Sequence, residues 1–83
     1  MKLICDGLPR RQCLVLKYAA LGLSEKETAR AMGCGPYNVQ SARAELFFRF
    51  HTNNITGAVA EGFRRGNLKY VPRDRAAFAR RVA

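Results

Sequence analysis

Between Gly22 and Gly35 the chain is punctuated so tightly that it can hold only one short helix. The stretch reads GLSEKETARAMGCG. Gly22 closes what precedes it, as a residue free to take a left-handed conformation does. Ser24 followed by Glu27 is a capping box: the serine hydroxyl accepts from the Glu27 backbone N–H, and the Glu27 carboxylate accepts from the Ser24 backbone N–H. Gly33 stops this helix at Met32, about eight residues on. Pro36 then opens a longer helix to Phe50, because proline is tolerated in a first turn and excluded only from the interior. A capped short helix, a tight turn and a longer helix make a helix-turn-helix.

The flanking sequence supplies what such a unit packs against. Leu8-Pro9 opens a first helix, with Gln12 to Leu21 in helical pattern. Leu8, Val15, Leu16 and Ala19 share one face, Leu14 and Tyr18 lie beside it, and Arg10, Arg11 and Lys17 fall on the other side. In the capped helix the inner side is Leu23, Thr28, Ala29 and Met32, with Ala29 small enough for a close crossing. In helix 36–50, Val39, Ala42, Leu46, Phe47 and Phe50 recur at three- and four-residue steps. Its opposite face offers Tyr37, Asn38, Gln40, Ser41, Ala44, Glu45 and Arg49, with Phe48 at the margin. Asn53 or Asn54 is placed to cap a fourth helix, Ile55 to Arg65. Ile55, Ala58, Val59, Gly62 and Phe63 share one side of it. Gly57 and Gly62 cost roughly 1 kcal/mol each against alanine there, and also let another backbone come close. Val71-Pro72 reads as extended, and Asp74 is placed to cap a short fifth helix, Arg75 to Val82. The expected class is therefore all-α: a four-helix bundle with a helix-turn-helix and a short fifth C-terminal helix.

Composition narrows the function. At 83 residues this is one domain, with no room for an elaborate enzyme pocket beside its core. Fifteen Lys+Arg against 6 Asp+Glu give a formal charge of +9, a field that attracts nucleic acid or an acidic membrane surface. No apolar run approaches a membrane span, the apolar helix faces are needed for the core, and Asp6 interrupts MKLICDG too soon for a signal peptide. The expected location is cytoplasmic, with no membrane partner. Cys5, Cys13 and Cys34 are odd in number and lack CxxC spacing, which fits reduced thiols, Cys13 and Cys34 serving as small core hydrophobes. His51 is the only histidine, so neither a metal site nor a cofactor is expected. With no nucleophile–base pair and no carboxylate dyad, the chain reads as non-enzymatic.

Several pieces, in order, carry a family resemblance. Gly22-Leu23-Ser24, Lys26-Glu27, Ala29 and Gly33 follow the pattern G-L-S/T-x-K-E-I-A and a glycine. Val39 stands at the valine of a T-V-K segment, and Leu46, Phe47 and Phe50 fill large apolar positions. Asn54 with Thr56 to Val59 is similar to N-R-T-x-A-V, and Arg64-Arg65-Gly66 to the R-R-G that follows. Over Leu8–Leu68 the chain resembles the DNA-binding domain of LuxR/GerE-type (NarL/FixJ-class) bacterial transcription regulators. The resemblance implies a four-helix bundle whose second helix is the scaffold. Its third helix would enter the DNA major groove, and its fourth would form a dimer contact. By position it makes Gln40, Ser41 and Ala44 base-facing candidates, and Lys26 and Asn38 backbone-contact candidates. The chain departs from the pattern at Leu14, Pro36, Tyr37, Gln40, Arg43 and Ala44. Only seven residues precede Leu8, so a sensor-free regulator is expected: residues 1–68 as the domain, 69–83 as a basic extension.

Side-chain chemistry adds detail. Gln40 can pair bidentately with adenine, Arg43 with guanine if it turns outward, and the Ala44 methyl can touch a thymine methyl. Lys26, Arg30 and Arg49 can meet phosphates, and Tyr37 joins them as a backbone-contact candidate. Ala58, Gly62 and Phe63 are candidates for a two-fold contact that would let a homodimer read a palindromic site on double-stranded DNA. The alternative is a protein-interaction module that binds another regulator or RNA polymerase; the sparse charge on helix 36–50 favours it.

Overall fold

A computed structural model describes residues 2–71 of the chain. Its elements in order are β1 (Lys2–Cys5), α1 (Arg10–Ala20), α2 (Glu25–Met32), α3 (Pro36–Phe50), α4 (Ile55–Arg64) and β2 (Leu68–Val71). Asp74 and the expected helix Arg75–Val82 lie outside the described residues.

The four helices stand where the local signals put them. Ser24 Oγ accepts from the Glu27 backbone N–H at 3.2 Å, and Glu27 Oε1 accepts from the Ser24 N–H at 2.9 Å. The Ser24 backbone N–H, with the Ser24 hydroxyl beside it, holds the Glu27 carboxyl below its ordinary range. Gly33 closes α2 in a left-handed conformation, φ 69°, and its N–H donates to the Arg30 carbonyl. The Cys34 N–H reaches back to the Ala29 carbonyl at 3.0 Å. Asn54 caps α4, its Oδ1 accepting from the Gly57 N–H at 2.6 Å. Pro36 occupies the first turn of α3, where its missing N–H would have no helical partner.

The core is one cluster. Leu16 and Val15 of α1 meet Val39, Ala42, Leu46 and Phe50 of α3, Ala29 of α2 and Ala58 of α4. Burying a side chain the size of Leu16 or Leu46 stabilises by about 1.5–3 kcal/mol, and both are fully buried. α4 comes close enough to this cluster that its Gly62 backbone lies directly over Leu16 and Leu68. At the edge of the cluster, the Arg65 guanidinium sits over the Phe50 ring, 5.1 Å from its centroid.

The all-α expectation is corrected by a two-stranded antiparallel sheet. β1 and β2 pair Lys2 with Val71, Leu3 with Tyr70, Ile4 with Lys69 and Cys5 with Leu68. Strand alternation puts Leu3, Cys5, Leu68 and Tyr70 on one face, and Leu3 and Leu68 enter the core. An isolated pair of strands is marginal in water; this one is held by packing on α1 and α4. Past its end the Asp6 N–H donates to the Asn67 carbonyl at 3.0 Å, and Asn67 Nδ2 returns a bond to the Asp6 carbonyl at 2.9 Å. The strand β2 straddles the domain boundary expected at residue 68.

The cysteines are free thiols, none fully exposed. Cys34 packs against the core, and the Cys13 thiol donates to the Leu8 carbonyl at 3.5 Å. Burial, with the Cys13 thiol alongside, pushes Cys5 up to about 12.

Candidate nucleic-acid interface

α2 and α3 are joined by Gly33-Cys34-Gly35, and α3 is held from two sides. On the α2 side the clasp is Glu25, in the first turn. One carboxylate oxygen accepts from Gln40 Nε2 at 3.4 Å, and the other lies 3.5 Å from Arg43 Nη1. On the α1 side the fixture is Gln12, which is buried although polar. Its Nε2 donates to Glu45 Oε2 at 2.7 Å, and its Oε1 accepts from Arg49 Nε at 3.1 Å. Arg11 Nη2 donates to the other Glu45 oxygen at 2.9 Å. The Arg11–Glu45 pair is half-exposed, so its worth is about 0–1 kcal/mol. Gln12 itself is buried, while its partners Glu45 and Arg49 are exposed. The buried stripe of Val39, Ala42, Leu46 and Phe50 sets the rotation of α3 about its own axis, and these polar contacts flank it on both sides.

That rotation sorts the expected site residues. Gln40 and Ala44 are exposed, and Ser41 is half-buried. Tyr37 and Asn38 stand exposed at the start of α3, and Lys26 is exposed on α2. Arg43 lies toward the core side: its side chain is 15% exposed and directed at Glu25. Arg49 is exposed, with its Nε committed to Gln12. Phe48, expected at the margin of the apolar stripe, is instead 87% exposed. At 100° per residue it shares the outward face with Ser41 and Ala44, opposite Val39 and Leu46.

The three residues expected at a dimer contact are split. Ala58 is fully buried in the core, and Gly62 is enclosed by Leu16 and Leu68. Phe63 keeps surface and stacks on Tyr70 of β2, with ring centroids 5.7 Å apart. Beside it Glu61 accepts from both Arg64 and Arg65, and these bonds draw its carboxyl down to about 2.

Sequence reasoning missed Glu25, Gln12 and Glu45. Glu25 had a weak signal, an acidic residue at the first position of a capped helix. Gln12 and Glu45 had none, because their partners lie more than thirty residues away.

A capped scaffold helix, a glycine turn and a second helix braced on one side and open on the other define a helix-turn-helix domain. Residues 6–61 match the family of bacterial regulatory proteins of the luxR type, and the chain belongs to that family. Its domain is that of a DNA-binding transcription regulator. No curated protein and no solved structure matches the chain. Among the described residues no helix is long and apolar enough to cross a membrane.

Proposed function

We propose that the protein binds specific sequences in double-stranded DNA by placing α3 in the major groove. The observation that carries this is the bracing of α3 by Glu25 and Gln12, which leaves its outer surface uncovered. In this reading Gln40, Ser41 and Ala44 face base edges, and Arg43 joins them only by leaving Glu25. Lys26, Asn38, Tyr37 and Arg49 contact the backbone. Phosphate contacts set affinity and register, whereas base contacts set sequence. Two copies pair through α4, with Phe63 and its stacked Tyr70 supplying the apolar surface over Ala58 and Gly62.

The test is a mobility shift on promoter duplexes across a salt series. Binding should weaken steeply with salt. Lys26→Ala should weaken it on every duplex, and Gln40→Ala by about 1–3 kcal/mol on the preferred one alone. Absence of any shift at low salt overturns the reading.

One observation favours a second reading. Arg43 is turned to Glu25 and Arg49 is bonded to Gln12, so the centre of the α3 outer face is uncharged. Such a face suits a protein partner, another regulator or RNA polymerase, and co-purification of one of these with an unshifted duplex would establish it.

A further inference from the structure

The outermost stripe of α3 is Tyr37, Ser41, Ala44 and Phe48. These residues follow one another at steps of four, three and four and fall within about 60° of arc. Two are large and almost bare: Tyr37 is 78% exposed and Phe48 is 87% exposed. Arg43 and Arg49 lie on the flanks, roughly 120° from the stripe's centre, and both are engaged by the protein itself. The usual reader of guanine, a bidentate Arg or Lys, is therefore missing from this stripe. An aromatic ring held in water at the outer face of a presented helix has its natural partner in an apolar surface. The major groove offers one apolar feature, the 5-methyl group of thymine. Gln40, at the stripe's edge, is exposed and makes one long 3.4 Å bond to Glu25; on leaving it, its amide can pair with adenine N6 and N7 on the opposite strand.

We infer that α3 reads A·T pairs, with Phe48 and Ala44 against thymine methyl groups and Gln40 on adenine. This rests on the DNA-binding reading above and names what that surface selects.

The experiment uses the full 83-residue chain. A preferred duplex is selected from a random pool, and its thymines are replaced one at a time by deoxyuridine, which deletes only the methyl. At one or more positions the replacement should weaken binding about fourfold, the worth of one buried methyl group. At the thymine under Phe48 the replacement should have no effect on Phe48→Ala and should keep its effect on Phe48→Leu, while a methyl under Ala44 stays sensitive in both. Phe48 is so exposed that both variants should fold, which circular dichroism checks. A selected site of G·C pairs, or a bound duplex indifferent to every replacement, overturns the inference and leaves DNA binding standing. If every methyl effect survives in Phe48→Ala, the inference is also overturned, since Phe48 then reads none of them. No duplex bound at low salt overturns both readings, and capture of a protein partner by the same stripe would then explain Phe48.

Discussion

Replacing Gly62 with alanine sets two known forces against each other at one atom. In a helix interior the change favours folding by about 1 kcal/mol, because glycine carries the larger backbone entropy loss. In this fold the new Cβ would sit 3.0 Å from Leu16 Cδ2, 3.0 Å from Leu68 Cδ1 and 3.3 Å from Leu68 Cγ. Both leucines are almost wholly buried, so neither can swing aside into solvent. Overpacking of this kind costs about 1–3 kcal/mol. The net expectation is a loss of about 1 kcal/mol, and a melting temperature lower by about 4–8 °C for a domain this size. The assay is urea and thermal denaturation of four proteins: wild type, Gly62→Ala, Leu68→Val and the double variant. Leu68→Val removes the Cδ1 contact, so alanine at 62 should be less costly in that background, by about 0.5–1 kcal/mol of coupling. Gly62→Ala stabilising the wild type by its full propensity gain would refute the argument, as would an equal cost in both backgrounds. The same samples test the placement of Gly62 inside the core. An effect confined to dimer dissociation, with no change in the denaturation of the dilute protein, would mean that the residue acts at an interface.

Two further outcomes follow from single groups. Thr28 is fully buried and its Oγ1 has no hydrogen-bond partner among the described residues; Thr28→Val keeps the shape and should raise stability by about 1 kcal/mol, with a loss in urea denaturation refuting the assignment. Glu61 is held at about 2 in the folded chain against an ordinary 4.5, so its contribution is complete above pH 4.5 and fades as the pH falls through 2. The difference in melting temperature between wild type and Glu61→Gln should shrink across that window and stay flat above it.

What could be read from the sequence was what the chain settles within a few residues. The Ser24–Glu27 box, the stop at Gly33 and the Asn54 cap each join atoms at most three residues apart, and each is made in the structure. The sheet joins residue 2 to residue 71, and each four-residue strand has one fully buried leucine, too little pattern for a strand signal. Gln12 illustrates the same limit inside a helix. A glutamine on α1 reads as solvated until α3 crosses over it and brings Glu45 and Arg49 to its two ends. Arg43 and Phe48 are different, because helical geometry alone separates them. Counting 100° per residue from Val39 and Leu46 puts Arg43 beside the core and Phe48 opposite it.

The uncharged stripe and the charge of +9 are compatible once affinity and sequence reading are assigned to different surfaces. Phosphates ring the groove rather than floor it, so cations are most useful at the flanks of a docked helix, where Lys26 and Arg30 of α2 are exposed. A cation in the middle of the stripe would carry its hydration into the groove and lose it against base edges, a cost that only a guanine repays through a bidentate pair. An apolar stripe gains where thymine methyls line the floor. The arrangement then ties the protein's two polar braces to specificity. Helical geometry places Arg43 and Arg49 off the stripe, and Glu25 and Gln12 engage their guanidinium groups there. If α3 reads DNA as proposed, the braces support that reading by occupying the two arginines, although neither need touch a base.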